Sequence, residues 1–444
     1  MSSSNSVIEI KNHPSSEQLE QILDILGSGF SVGRAFFQER IQHDPTFTPA
    51  NTWYATVDQV IASSVQIFPM RLRLGQDVLR VAGMGSVCTH TDYQGKGLAT
   101  RILNSQSIWM RQKGYHLSML LASKHSFYMR SGWNLLPEVM YKLNNLEYCN
   151  DHETSVSKLA LHSAIDAATR DKLLQPVIDV DGYSITQFSP AHLKQMSQLY
   201  DAFNSNRTGS YVRDETYWTS LVEWPTWREA ECLLLWQQDT LIAYGIIAHT
   251  RDDGAILREF IYNPHDEADI MPLFTALCKL RSDARYITAK LPYDHRLLQV
   301  FQKNGASSHL MNVAMWKILN CEALFADIQS QLQERLLSDD KLKQMSMQLN
   351  IKTEHDEISF ILNQCRLHIN VNTEDYDTSL NENGVTLTIS EINLIKWLLY
   401  GYDSTDEKSV TGEIHEASQR EAVETVLSTL FPEQPYAFYI TDYY

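Results

Sequence analysis

No apolar stretch in the 444 residues reaches the length needed to span a membrane. The start, Met1-Ser2-Ser3-Ser4-Asn5-Ser6, has neither the basic end nor the apolar core of a secretory signal, so a cytoplasmic location is expected and no membrane partner. Basic charge is also short: 37 Lys and Arg face 54 Asp and Glu, a net charge of -17, which argues against a nucleic-acid partner because such binding needs a basic face. The same acidity would draw in a polycationic small molecule, or simply aid solubility. Six cysteines at 88, 149, 232, 278, 321 and 365 form no C-x-x-C pair and no zinc-like spacing with histidine. Neither a disulfide nor a metal is expected.

The composition that is present, 43% hydrophobic and 20% charged, is that of a globular protein. At this length two or three domains are expected. The most informative stretch is Val81 to Tyr128, centred on Gln94-Gly95-Lys96-Gly97-Leu98-Ala99. A strand-like run from Val81 to Cys88 precedes the glycines, and Leu98, Ile102, Leu103, Trp109 and Met110 follow at helical spacing up to Gly114. A glycine loop at a helix start exposes backbone N–H groups where the helix dipole is positive, which suits a phosphate. Two glycines also turn a chain into a helix with no ligand involved. Neither the Lys-Ser/Thr ending of a nucleotide-hydrolase loop nor the three-glycine dinucleotide fingerprint is present.

The order Gln-x-x-Gly-x-Ala at 94–99 resembles the pyrophosphate loop of the GCN5-related N-acetyltransferases (GNAT). Some thirty residues on, Tyr128-Met129-Arg130-Ser131-Gly132-Trp133 resembles that family's helix with a tyrosine followed by a Gly-aromatic pair. Upstream the chain reads as a strand at Val7–Ile10, a capped helix carrying Leu19, Ile22, Leu23 and Leu26, a second helix from Ala35 to Ile41, and a hairpin turning at Asp58-Gln59. This is the order the resemblance calls for.

Residues 144–180 read as a connecting segment. Asp239-Thr240-Leu241-Ile242-Ala243 then echoes Asp58-Gln59-Val60-Ile61-Ala62, and Phe301 to Gly305 echoes Tyr128 to Gly132, so a second copy of the fold is expected at 181–320. Where its glycine loop should stand, Asn263 to Asp269 has no glycine and three carboxylates, and Phe301 replaces the tyrosine. The copy reads as degenerate. From about 321 an amphipathic helix (Leu324, Ile328, Leu332, Leu336), alternating strands, a turn at Asn383-Gly384, a helix after Ser390 and a last helix through Val426 and Phe431 resemble the sterol-carrier-protein fold.

This architecture resembles the enhanced intracellular survival (Eis) acetyltransferases. Gly209 to Trp218 and the ending Asp442-Tyr443-Tyr444 are similar to segments of that family. The implied fold class is mixed α/β (α+β): a GNAT domain at 1–143, a connecting segment at 144–180, a degenerate GNAT domain at 181–320, and a sterol-carrier-like domain at 321–444. The implied activity is acetyl transfer from acetyl-CoA directly to a primary amine, of a polycation such as an aminoglycoside or polyamine. Protein lysine is an alternative acceptor, and a non-catalytic acetyl-CoA sensor or apolar-ligand carrier is an alternative class.

The resemblance gives Tyr128 as the acid for the leaving thiolate and the Tyr444 carboxylate as the base. Its cofactor-binding positions are Ser86, Val87, Cys88, Gln94, Gly95, Lys96, Gly97, Leu98, Ala99 and Ser123. His90 and His125 are read as solvated loop residues. A homo-oligomer is implied, a hexamer in the family. Two departures stand out: a single Lys96 where better-known members have arginines, and Tyr in place of Phe at the end.

Overall fold

The structure is a computed structural model and describes residues 6–145, 148, 178–180, 182–372, 384–405, 411–412 and 417–443. The expected connecting segment 144–180 and the residues Asn383 and Tyr444 therefore lie wholly or mostly outside the described residues. The fold is mixed α/β, with three sheets among the described residues. The first is built from strands β1 (Ile8–Asn12), β2 (Thr52–Val57), β3 (Val60–Leu74), β4 (Asp77–Thr89) and β5 (Leu117–Leu121). Helices α1 (Ser16–Gly29) and α2 (Gly33–His43) cover one part of it, and α3 (Leu98–Gln112) packs Ile102, Leu103 and Met110 on another. Local chemistry explains these elements. Ser15 and Gln18 form a reciprocal capping box at the start of α1, and Asp58 and Gln59 both adopt positive φ in the tight turn joining β2 to β3.

The expected domain limits do not coincide with the sheets. The chain continues through α4 (His125–Met129), β6 (Asn134–Leu135) and β7 (Glu138–Asn144), and β7 leaves the first sheet for the second. There it lies between β15 (Ser307–Met311) and β14 (Tyr286–Ala289). In return β16 (Ala314–Ile318) enters the first sheet between β5 and β6. Each of the first two units thus supplies a strand that completes the other. The second sheet also contains β8 (Ile178–Val180), β9 (Tyr183–Gln187), β11 (Ala230–Gln237), β12 (Thr240–His249) and β13 (Ala255–Tyr262), while β10 (Thr208–Tyr211) from the same part of the chain pairs with the end of β3.

The third sheet runs through strands between Ser346 and Gly412, with the helices Cys321–Ser338, Glu391–Tyr400 and Ala417–Leu430. One apolar core is continuous from Met70 and Leu72 through Trp218 and Phe260 to Phe360 and Trp397. The last segment runs back along the middle unit: Thr208 donates to the carbonyl of Pro435 and accepts from Ala437, and the ring of Tyr436 lies where a Cβ on Gly209 would fall. Arg213 anchors this segment. Its guanidinium bonds Asp442 (2.8 and 2.7 Å) and Glu259 on β13 (3.0 and 2.6 Å), all three side chains being fully buried. Two carboxylates share one cation, and burial pushes the Asp442 carboxyl above its usual range.

Removing one partner of a buried ion pair leaves an uncompensated charge, so Arg213→Met is expected to destabilise the protein by about 3–5 kcal/mol. It should also expose the last residues to carboxypeptidase, which mass spectrometry and a denaturant titration would register together.

A second buried acid ties the third unit to the first sheet. Glu391 accepts from the Ile318 N–H of β16 (3.0 Å), and burial raises its carboxyl from 4.5 to about 7. A folded value above the unfolded one means that the folded protein holds this proton more tightly. The stabilisation is complete below the unfolded value and is lost as pH rises through the folded one. Glu391→Gln, which keeps the acceptor oxygen, should therefore gain thermal stability over wild type near pH 8 and little or none near pH 5, by paired melting curves.

Candidate active site

The glycine loop leads straight into α3. Gly95 and Gly97 have φ of 77° and 72°, and a Cβ added at either would meet nothing within 4 Å. Positive φ favours glycine, and the empty space leaves the backbone approachable. Gly97 caps α3 without a side-chain hydrogen bond, and the first turn carries no acid, so the leading N–H groups have no side-chain acceptor of their own. Gln94 is exposed and its amide donates to the carbonyl of Thr89 (3.2 Å); Lys96, also exposed, sits over the ring of Tyr93 at 4.8 Å. The side chains of Leu98 and Ala99 turn into the core, which leaves their backbone as the part able to face an anion.

Beside the loop, β4 and β5 diverge. Their parallel pairing covers Val81↔Leu117 to Met84↔Leu120 and stops there. On its other edge β4 pairs with β3, and the register jumps between Ser64↔Cys88 and Gln66↔Gly85. Two residues, Ser86 and Val87, thus oppose Val65 alone, a β-bulge in which Ser86 takes φ of 52°. His90 donates to the carbonyl of Ala62 (2.8 Å), and the alternation of an antiparallel ladder then assigns the Cys88 N–H to Ser64. Cys88 is held on its other side too: its thiol is buried against α1, donating to the Ile25 carbonyl at 3.5 Å. Of the two expected cofactor positions Val87 and Cys88, Val87 is the one outside the regular ladder. A splayed strand pair, a bulge and a helix start without a side-chain cap are the parts of a slot suited to a thioester and a diphosphate, so the residues present fit acetyl-CoA.

Tyr128 lies on α4, half-buried, its ring edge-on to Phe127 at 4.8 Å. Burial raises its phenol above the usual 10, so it stays protonated across the neutral range. Ser123 is exposed between β5 and α4. His125 spends its Nε2 on the carbonyls of Ala122 and Asn312, and His90 accepts from the Asp92 N–H.

The C-terminal segment reaches the same region. The carbonyl of Tyr443, the last described residue, is 3.5 Å from Nη1 of Arg40 on α2, and the Tyr443 hydroxyl accepts from Lys290 at 3.1 Å. Arg40 in turn lines a small cavity of about 20 Å³ with Ser64, Val65, Gln66 and Ser86 at the bulge. Sequence reasoning missed this wall, since Phe37, Arg40 and Phe68 read only as helix and strand residues. Among the described residues no cluster of His, Cys, Asp and Glu is suited to a metal, and no helix is long and apolar enough to cross a membrane.

The second sheet repeats the divergence but fills it. β13 and β14 pair from Ala255↔Ile287 to Leu257↔Ala289 and then part. Beyond that point Glu259 binds Arg213, which binds Asp442, and Lys290 donates to the carbonyl of Phe438 (2.9 Å). The protein's own C-terminal segment occupies this divergence of the second sheet.

Comparison with known proteins agrees with this geometry. Residues 12–136 match the family model described as an acetyltransferase (GNAT) domain. No curated protein matches the sequence. Among solved structures the chain is similar to a GCN5-related N-acetyltransferase from Kribbella flavida (14% identity, all of both chains covered, TM-score 0.66). It is also similar to one from Anabaena variabilis (14%, 97% and 98% covered, 0.64). Eis1 from Mycobacterium abscessus is a further likeness (13%, 97% and 99%, 0.60). These structures share the fold over the whole chain, and the domain match bears out the expectation of an N-acetyltransferase enzyme.

A side chain at Gly97 would be strained and would crowd the slot without touching the core. Gly97→Val should therefore weaken acetyl-CoA binding by about tenfold or more, the equivalent of ~1.4 kcal/mol. Calorimetric titration alongside a melting curve checks that the effect lies in binding, with the melting temperature changed by only a few degrees.

Proposed function

We propose that the protein transfers an acetyl group from acetyl-CoA directly to a primary amine held beside the bulge at Ser86. The observation that carries this reading is the parting of β4 and β5 beside the glycines at 95 and 97, inside the stretch matched to the acetyltransferase model. Acetyl-CoA supplies an activated acyl group with a thiolate as leaving group. The amine nitrogen attacks the carbonyl carbon, the C–N bond forms, and the C–S bond breaks. The Val87 N–H is proposed to hold the carbonyl oxygen as it gains charge.

Tyr128 gives its proton to the departing sulfur. Its raised phenol is a weak acid in bulk terms, yet it is fully protonated at neutral pH and so always ready to donate. The carboxylate of Tyr444 is proposed as the base that accepts the amine proton. An ordinary terminal carboxylate has a pKa of ~3.5, so a bridging water suits the task. The cofactor loop comprises Gln94 to Ala99, with Ser86 and Ser123 flanking the thioester end.

Residues 321–444 act in this reading as a sterol-carrier-like unit that delivers the C-terminus, and the chain assembles as a homo-oligomer. The family resemblance implies a polycationic acceptor of aminoglycoside or polyamine type, with a protein lysine as the alternative. A non-catalytic sensor would need neither the Tyr128 hydroxyl nor a docked chain end.

Tyr128→Phe should lower kcat about 10²–10⁴-fold, the usual contribution of a positioned acid, with acetyl-CoA affinity unchanged. Extending the chain beyond Tyr444 should lower kcat without loss of cofactor binding. Thiol release and calorimetry separate the two effects, and full activity in both variants would remove both assignments.

A further inference from the structure

We propose a second ligand site, apart from the cofactor slot, that takes a neutral fused-ring aromatic molecule carrying a hydroxyl. It lies between the second sheet and the third unit. Its walls come from β7, the residues just after β14, the end of the helix Glu391–Tyr400 and the C-terminal run from Glu433 to Tyr439. None of the expected cofactor positions lines it. The cavity measures about 560 Å³, inside the ~300–1,000 Å³ of small-molecule sites.

Two polar atoms in its wall lack partners. The Glu138 side chain is 3% exposed; Oε1 accepts from Lys290 at 2.7 Å, while Oε2 makes no hydrogen bond among the described residues. The hydroxyl of Tyr436, a residue 8% exposed, makes none among them either. Burial and the nearby Glu138 carboxylate push this phenol well above its usual range, so it stays protonated. The two groups stand close together, yet no hydrogen bond closes between them. A carboxylate oxygen accepts and a phenol donates. One ligand hydroxyl can therefore serve both, donating to Glu138 and accepting from Tyr436.

The surrounding charges select against an ionic ligand. Lys290 already spends its three protons on Glu138, the Phe438 carbonyl (2.9 Å) and the Tyr443 hydroxyl (3.1 Å), so an anion finds no free donor there. At the rim Lys396 shares the lining with Asp403 and Glu433. An ammonium at Glu138 Oε2 would sit beside the Lys290 ammonium, a like-charge contact in a poorly hydrated place. A neutral hydroxyl avoids both costs. The rest of the lining suits flat rings: Tyr400 and Tyr436 form one aromatic wall, centroids 4.6 Å apart, with Tyr141 and Phe438 nearby.

The test titrates the full-length protein by calorimetry at neutral pH with 2-naphthol, 2-methoxynaphthalene, 2-naphthoate and 1-naphthylmethylammonium. 2-Naphthol should bind one site per chain. It should bind at least about tenfold more tightly than its methyl ether, which cannot donate, the factor expected of a hydrogen bond to a charged group. Both charged analogues should be weaker than 2-naphthol. Tyr436→Phe should weaken 2-naphthol about threefold to tenfold and leave the methyl ether unchanged. Tyr293→Ala, at the exposed rim, should weaken both compounds, and acetyl-CoA affinity should be unchanged in both variants.

Equal binding of 2-naphthol and its methyl ether overturns the proposal, as does tighter binding of either charged analogue. So does loss of 2-naphthol binding when acetyl-CoA saturates the protein, which would put the compound in the cofactor slot. Binding untouched by both substitutions would place it elsewhere on the chain, and no binding at millimolar concentration would leave the two unpartnered atoms to a bound water. Either result also overturns the proposal.

Discussion

The buried contact of Arg213 with Asp442 and Glu259 is the constraint on which the arrangement of the site depends. Removing three charges from water is costly, and the cost is offset only if each oxygen and N–H finds a partner at close range. Here the hydroxyls of Tyr217 and Tyr244 complete the set. A network this dependent on geometry ties Asp442 through Arg213 to Glu259 on β13 of the second sheet. The neighbouring Tyr443 carbonyl then meets Arg40 on α2.

The same contact distinguishes two sheets with related topology. Both contain a parallel pair of strands that separates after a few residues. In the first, glycines at 95 and 97 and an uncapped helix lie at the mouth of the opening. In the second, the opening holds the Arg213 network and the residues from Phe438 to Asp442, and the adjoining loop offers Asp266, Glu267 and Asp269 where an anion would have to sit. The exchange of β7 and β16 joins the two sheets through hydrogen-bonded strands, each sheet holding a strand from the other's part of the chain.

Much of this was legible in the sequence because it rests on local chemistry. The capping box at Ser15, the Asp58-Gln59 turn and the helix from Leu98 to Gln112 appear where composition and period place them. So does the helix that ends at Gly401. The exchange of strands was not legible, because Glu138–Asn144 and Ala314–Ile318 alternate in the same way whichever sheet they join. Nor was the bulge, since nothing in Gly85-Ser86-Val87-Cys88 announces that Ser86 adopts positive φ. Arg213 stood inside a recognised segment, but its role requires a partner 229 positions away.

The most direct measurement is the stoichiometry of acetyl-CoA binding to the full-length protein by calorimetric titration. The account predicts one site per chain, because one strand divergence is open and the other is filled by the chain's own C-terminal segment. Two equivalents per chain, or none, would contradict it.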